Sequence, residues 1–260
     1  MTYVSLHGHS IFSTLDGAGS IPDIVKRCKE IGMTRIALTD HGNIYGTTEW
    51  LTETKKAGIL GLIGCEFYIS PALSMQKNAD NKKHQHFILI AKNTAGYKQL
   101  VKMISRSNNN ECYYYKNRLS LQEIAEIIGD ERGNLIGITG HMGSTLGELV
   151  IVEDENKVWH IKPDWEKHGI EHIKYLQGVF GNENLGIEIQ TYEGNSNGFK
   201  ELVELNRILC KKTGAMPVAT CDFHYATRNQ AELQRILMCV QMRTTLDKVA
   251  KSGADLSIFF

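Results

Sequence analysis

The sequence predicts an α/β fold: a distorted barrel of seven strands alternating with helices, (β/α)7, with a metal site at the C-terminal mouth of the strands. Three observations lead there. Short β-branched or apolar runs recur at Tyr3–Leu6, Arg35–Thr39, Leu60–Tyr68, His86–Ala91, Asn134–Thr139, Leu185–Gln190 and Pro217–Cys221. Amphipathic stretches lie between them, and that alternation builds parallel sheets covered by helices. Imidazoles and carboxylates gather where the runs end. A closed barrel brings all strand ends to one mouth, whereas an open sheet spreads them along an edge.

The helical stretches carry their own start and stop signals. "SIPDIVKRCKEIG" opens with Ser20 as a cap and Asp23 three residues on, places Ile24, Val25, Cys28 and Ile31 on one face, and stops at Gly32. "SLQEIAEIIG" repeats the logic with Ser120, Glu123 and Gly129, and "TAGYKQLVKMI" and "FKELVELNRILCKKTG" keep the 3.6-residue spacing. "IVEDENKVWHIKPDW" interrupts the pattern and reads as a surface excursion. The polar segment Ser70–Gln85 reads as a mobile loop, a place for partner contact.

Composition narrows the function classes. Lys and Arg number 29 and so do Asp and Glu, so no overall basic field holds nucleic acid and any such contact is local. No apolar run approaches a membrane span and no signal-peptide pattern is present. Six scattered cysteines without a CxxC pair read as reduced thiols in a cytoplasmic protein. The expected organisation is a single domain over residues 1–260, with 240–260 beginning a connection to a further body.

Residues i and i+2 of a strand share a face, so His7 and His9 aim at one point, and Asp222 and His224 repeat the device at the last run. In a closed barrel the first and last strands are neighbours, which sets the two pairs side by side. Asp16 returns from the loop "SIFSTLDG" to the same mouth. His41 follows the second run, Glu66 sits late in the third and His141 follows the fifth; His86, at the start of the fourth, is the poor fit. About nine candidate ligands exceed one tetrahedral ion. Mixed imidazole and carboxylate donors suit Zn²⁺, Mn²⁺ or Fe²⁺. Two or three such ions, roughly 3.5–4 Å apart and bridged by a carboxylate, activate water and clamp a phosphate oxygen, which is the chemistry of phosphoester hydrolysis.

The motifs "LHGHSIFSTLDG", "ALTDHGN", "IGCEFY", "HFILIAKN", "ITGHMG" and "VATCDFHY" resemble those of the PHP (polymerase and histidinol phosphatase) domain family. "LDGAGSIPDIVKRCKEIGMTRIALTDHGNIYG", "AKNTAGYKQLVKMIS", "YYYKNR" and "MCVQMRTTLD" resemble the branch found at the N-terminus of bacterial DNA polymerase III alpha subunits. The resemblance covers nearly the whole chain and implies a TIM-like barrel around a three-metal centre. Carried over position by position, its ligands fall on His7, His9, Asp16, His41, Glu66, His86, His141, Asp222 and His224, with Glu66, Asp222 and His41 the expected catalytic groups. His141 stands where many alpha subunits have cysteine and matches the phosphatase branch. An intact set implies 3′→5′ exonuclease proofreading on DNA ends, with the remaining polymerase domains and replisome subunits as partners. The rival expectations are a histidinol-phosphatase-like phosphomonoesterase and a non-catalytic scaffold. The polymerase aspartates of that family lie beyond this domain and the sequence ends at Phe260, so the chain is expected to be an excised or split piece that does not polymerise DNA alone.

Other residues have plainer readings. His84 is expected at the surface, and so are His160, His168 and His172, in a helical, charged stretch. Asp40 is expected to orient a ring rather than bind metal. Glu188 and Gln190 end the sixth run and either line the mouth or pack there. "NECYYYKNR" combines three tyrosines with Lys116 and Arg118, able to stack bases and hold phosphate or simply to pack as a loop. Strand parity puts Cys221 on the outer face opposite Asp222, packed under helices as a small hydrophobe.

Overall fold

Local signals decide where the helices begin. Ser20 Oγ accepts from the Asp23 backbone N–H, and at Ser120 the reciprocal capping box with Glu123 is complete. The computed structural model describes residues 3–190 and 197–252. In chain order these form α1 (Ile21–Glu30), β1 (Arg35–Leu38), α2 (Thr47–Ala57), β2 (Leu60–Ile69), β3 (Gln85–Ala91), α3 (Thr94–Ser107), β4 (Arg118–Leu119), α4 (Leu121–Ile128), β5 (Leu135–Ile138), α5 (Thr145–Val150), β6 (Ile151–Glu153), β7 (Trp159–Ile161), α6 (Trp165–Phe180), β8 (Leu185–Gln190), α7 (Asn197–Thr213), β9 (Met216–Thr220), α8 (Ala231–Gln241) and α9 (Leu246–Ser252). The class is α/β. Residues 253–260, the end of the expected connection, lie outside the described residues.

The chain divides into two units, 1–64 with 221–260, and 65–220, with β2 crossing the boundary. In the first, β1 pairs in parallel with the start of β2, from Arg35 opposite Leu60 to Leu38 opposite Ile63. Helix α1 buries Ile21, Ile24, Val25 and Cys28 against Met33, Ile36, Leu38, Trp50 and Ile59. Each large aliphatic side chain so buried contributes about 1.5–3 kcal/mol. Ile31, expected on that face, is half exposed because it has already become the C-cap beyond the last turn. The expected first strand, Tyr3–Leu6, makes no regular ladder: Ser5 bridges Ile36 and Gly8 bridges Phe223, both in parallel.

In the second unit the strand order is β2-β3-β5-β8-β9, with the short β4 paired to β2. β5, β8 and β9 run parallel, but β3 is antiparallel to β5, with Ile88 opposite Ile138. The sheet is therefore mixed, not all-parallel as expected. The reversal removes the misfit at His86: the start of an antiparallel strand lies at the end where its parallel neighbours finish. Phe87, Ile88, Leu89 and Ile90 are all buried, because β3 is covered on both faces and its side chains alternate between them. The excursion after α5 is the small β6–β7 hairpin, and it holds His160 in a strand rather than a helix. His168 is exposed on α6, while His172, expected at the surface, is half-buried on the same helix.

Ser70–Gln85 is not the loose loop its polarity suggests. The Asn81 amide donates to the carbonyls of Leu73 (3.0 Å) and Gln76 (2.8 Å), and Ser74 donates through Oγ and N–H to Glu123. The fully buried Arg118 donates to the carbonyls of Asn81, Ser74 and Gln76. Its polar residues bond inward because that is the cheapest way to satisfy a buried backbone without a ladder. Replacing Arg118 by Met strands these carbonyls and is expected to cost about 3 kcal/mol, read as a lower urea midpoint with faster amide exchange across residues 72–82. An unchanged midpoint would mean the guanidinium does not hold the segment.

Candidate metal centre

The first unit assembles six of the nine candidate ligands. Phe223 pairs with Gly8, and the His9 N–H donates to the Phe223 carbonyl at 2.8 Å. A Cβ at Gly8 would lie 2.0 Å from the Phe223 ring, so only glycine permits this approach. The pairing sets His7 and His9 beside Asp222 and His224, the neighbour relation expected of the first and last runs. Residues 10–19 fold back through Gly17, where a Cβ would meet the Ser10 carbonyl oxygen at 2.0 Å, and this return brings Asp16 to the cluster. His41 arrives from the turn after β1.

His7 and His9 are fully buried, and both place Nε2 at 3.1 Å from Asp222 Oδ1. His41 Nε2 lies 2.8 Å from Asp16 Oδ2, and His224 Nε2 lies 3.6 Å from the same oxygen. The His9 ring stacks on His41 and on His224 at centroid distances of 4.3 and 4.5 Å. One ligand atom from each of these three rings falls within 4.8 Å of the others. Burial alone would raise the Asp222 carboxyl, but His7, His224 and His9 hold it well below the usual carboxylate range. Burial also opposes the Asp16 carboxylate, and His224 and His41 hold it low. The His224 cation is disfavoured by burial and favoured more strongly by Asp222 and Asp16, so its pKa rises.

Hydrogen bonds dictate which ring nitrogen faces the carboxylates. Ser13 Oγ donates its single proton to Asp40 Oδ1 (2.8 Å) and accepts from the His41 backbone N–H (3.1 Å). His9 Nδ1, 2.9 Å from the same hydroxyl, must therefore be the donor, leaving Nε2 for the cluster. His224 Nδ1 donates to the Asp222 carbonyl at 3.0 Å, with the same result. Asp40 does orient a ring, but it acts through Ser13 on His9 rather than on its neighbour His41. The Ser10 backbone N–H and hydroxyl lock Asp40 in turn, at 2.7 and 2.9 Å. Sequence reading overlooked both serines; the four-residue spacing of His9 and Ser13 within a turn was the available clue.

In the second unit Glu66 is fully buried on β2, and His86 Nδ1 donates to its Oε1 at 2.9 Å. His141 Nε2 lies 3.9 Å from the same oxygen. The Gly143 N–H donates to His141 Nδ1 at 3.1 Å, so the neutral ring carries its proton on Nε2. To ligate through Nε2, His141 would have to exchange tautomer and release Gly143. Glu188 and Gln190 are buried, bonded to each other at 3.2 Å, and Thr220 donates to Glu188. His84 is half-buried rather than at the surface: its ring meets Tyr68 edge-on at 5.0 Å and stacks with His86.

Cys221 departs from its expected place. It is exposed, its Sγ 3.5 Å from Ser5 Oγ, beside an apolar cavity of about 170 Å³ lined by Ile24, Cys28, Met33 and Ile36. β9 ends at Thr220 and Asp222 has φ of +48°, so the alternation used to place it stops one residue too early. Asp222 and His224 still face the cluster, positioned by the Phe223 pairing. The donor set, imidazole and carboxylate without thiolate, fits a divalent ion of the Zn²⁺, Mn²⁺ or Fe²⁺ type.

A family model for the PHP domain matches residues 5–192. The DNA polymerase III alpha subunit of Borreliella burgdorferi is 33% identical over 92% of this chain and 19% of its own length, and that of Aquifex aeolicus 30% identical over 96% and 21%. The chain thus spans about a fifth of these relatives. Among solved structures, an amidohydrolase from Chromobacterium violaceum aligns over 86% of this chain and 88% of its own with a TM-score of 0.49 at 14% identity. Histidinol phosphate phosphatase from Lactococcus lactis, complexed with zinc, L-histidinol and phosphate, aligns over 91% and 92% with a TM-score of 0.42 at 14% identity. Among the described residues no helix is long and apolar enough to cross a membrane.

Ser13→Ala removes the acceptor that sets the His9 tautomer and is expected to weaken metal affinity roughly 10- to 100-fold, whereas Cys221→Ser leaves metal content intact. Elemental analysis after dialysis against Zn²⁺ or Mn²⁺ checks both. Loss of metal in Cys221→Ser with retention in Ser13→Ala would reverse the assignment.

Proposed function

The chain belongs to the PHP domain family, and from that premise we propose that it is a metal-dependent phosphodiesterase acting as a 3′→5′ exonuclease on DNA. The carrying observation is the convergence of His7, His9, Asp16, His41, Asp222 and His224, with both carboxylates held ionised inside the first unit. A buried cluster of this kind stabilises little by itself, and a divalent cation is the natural partner of its negative oxygens. The similarity to polymerase III alpha subunits supports DNA as the substrate.

Two or three divalent ions are expected, held by these six residues and by Glu66, His86 and His141. When bound, such ions supply Lewis-acid polarisation of a phosphoryl oxygen and lower the pKa of water. The chain's own residues prepare that chemistry. Ser13 and the Asp222 carbonyl hold His9 and His224 as Nδ1–H rings, with Nε2 turned to the cluster. Asp222 lies against the rings of His7, His9 and His224, and Asp16 against those of His41 and His224, so each carboxylate both orients imidazoles and offers negative charge to a cation. Glu66, Asp222 and His41 are the residues we assign to catalysis, Glu66 with its Oε1 engaged by His86.

Three substrates separate the readings: single-stranded DNA, a mismatched primer end and a small phosphomonoester, each with Mn²⁺ or Zn²⁺. Mononucleotides released from the 3′ end, abolished by Asp222→Asn and by chelation, are the expected result. Phosphate release from the monoester alone would replace this reading with a phosphatase, and no hydrolysis at all with a scaffold.

A further inference from the structure

The second unit carries an aromatic and basic ridge that ends at His86. Its outer part is the turn at residues 113–116, where the Tyr114 N–H donates to the Lys116 carbonyl. At its tip Tyr115 has φ of +63°, a left-handed backbone that a bulky side chain rarely adopts, and its ring is 61% exposed. Tyr113 is 50% exposed. A packed loop would bury these rings or place glycine at the tip; this turn strains its backbone to present an aromatic face to water.

The contacts then run inward in sequence. Lys82 Nζ lies 4.8 Å over the Tyr115 ring, and Lys116 Nζ lies 4.8 Å over the Tyr68 ring. Tyr68 meets His84 at 5.0 Å and His86 at 5.5 Å, and His84 and His86 are parallel within 10°. His86 in turn donates to Glu66. Lys83, next along, is already paired with Glu148 at 2.6 Å, but Lys82 and Lys116 form no ion pair among the described residues. The ridge therefore alternates stacking surfaces with cations that no carboxylate neutralises.

We propose that this ridge binds single-stranded DNA and leads its 3′ end toward Glu66 and His86, bases stacking on Tyr113 and Tyr115 while Lys82 and Lys116 meet phosphates. The inference deepens the exonuclease reading and rests on it for direction. Aromatic faces accept every base and the local cations supply the salt-dependent term, so such a surface holds single strands with little sequence preference. It also supplies locally what a chain of zero net charge lacks globally. A duplex, with its bases stacked on one another, offers no free face to the tyrosines.

Binding is read without turnover, by the anisotropy of fluorescein-labelled dT12 in EDTA at low salt with the full chain. Tyr115→Gly removes the ring at a backbone position glycine prefers, so the variant keeps its fold; Tyr113→Ala and Lys82→Ala complete the set. Each tyrosine variant is expected to weaken dT12 binding about ten-fold, Tyr115→Phe to retain it, and a 12-base-pair duplex to bind more weakly than dT12. Wild-type affinity in Tyr115→Gly and Tyr113→Ala, absence of dT12 binding by the wild type, or equal affinity for duplex overturns the ridge even where hydrolysis persists. Tyrosine-dependent dT12 binding without hydrolysis in the metal assays upholds the ridge as a binding surface and overturns the exonuclease reading instead.

Discussion

The first unit is organised by one demand: an ionised Asp222 carboxylate must be held out of water. An uncompensated buried charge costs several kcal/mol or gives up its charge by protonation. Here His7 and His9 approach the same oxygen at 3.1 Å, and the carboxyl stays ionised despite its burial. Much of the unit follows from bringing those rings to that oxygen. Gly8 exists because the Phe223 ring occupies the space of a Cβ, and Gly17 because the loop must turn back against Ser10 to deliver Asp16. Asp40 is spent on Ser13 and Ser10, whose hydroxyls settle the His9 tautomer.

In the second unit the same pressure acts on backbone and guanidinium groups. Among the described residues Arg118 is buried without a carboxylate in hydrogen-bond contact, compensated by three carbonyls and by the Tyr114 ring 4.9 Å away. That choice converts a polar segment into an ordered one and fixes the turn that carries Tyr113 and Tyr115. Polar side chains here build scaffolding from groups that a composition profile would assign to solvent. The carboxylate of Glu123 does double duty, closing the capping box of α4 and holding Ser74 across the loop.

Function depends on how these two kinds of polar burial differ. At Arg118 the two terminal guanidinium nitrogens meet neutral carbonyl oxygens and the result is rigidity. Around Asp222 and Asp16 rings and carboxylates face one another, and a ligand atom from each of His9, His41 and His224 gathers within 4.8 Å, a donor chemistry suited to a cation. The Nδ1 hydrogen bonds of His9 and His224 mark the difference, because in both cases the backbone or a serine uses the nitrogen that faces away from the cluster. His141, with Nδ1 occupied by a backbone donor, is set differently.

The sequence by itself determined what is local. The caps at Ser20 and Ser120, the bounds of β8 and the residue types able to bind metal were legible because hydrogen bonds and hydrophobic periods within a dozen residues create them. The neighbour relation that sets His7 and His9 beside Asp222 and His224 was legible too, as that of the first and last runs of a closed barrel, and the bridge between Gly8 and Phe223 realises it. Only the tertiary structure decided the reversed direction of β3, since a strand's residues read the same whichever way its partner runs. It alone decided that Ser13 acts between Asp40 and His9, that Arg118 pins residues 74–81 and that Cys221 faces water, because each depends on contacts closed across long stretches of chain or on a dihedral angle that breaks strand alternation. Such contacts are set by which surfaces remain to be paired once the local elements have formed, and no window of sequence contains that remainder.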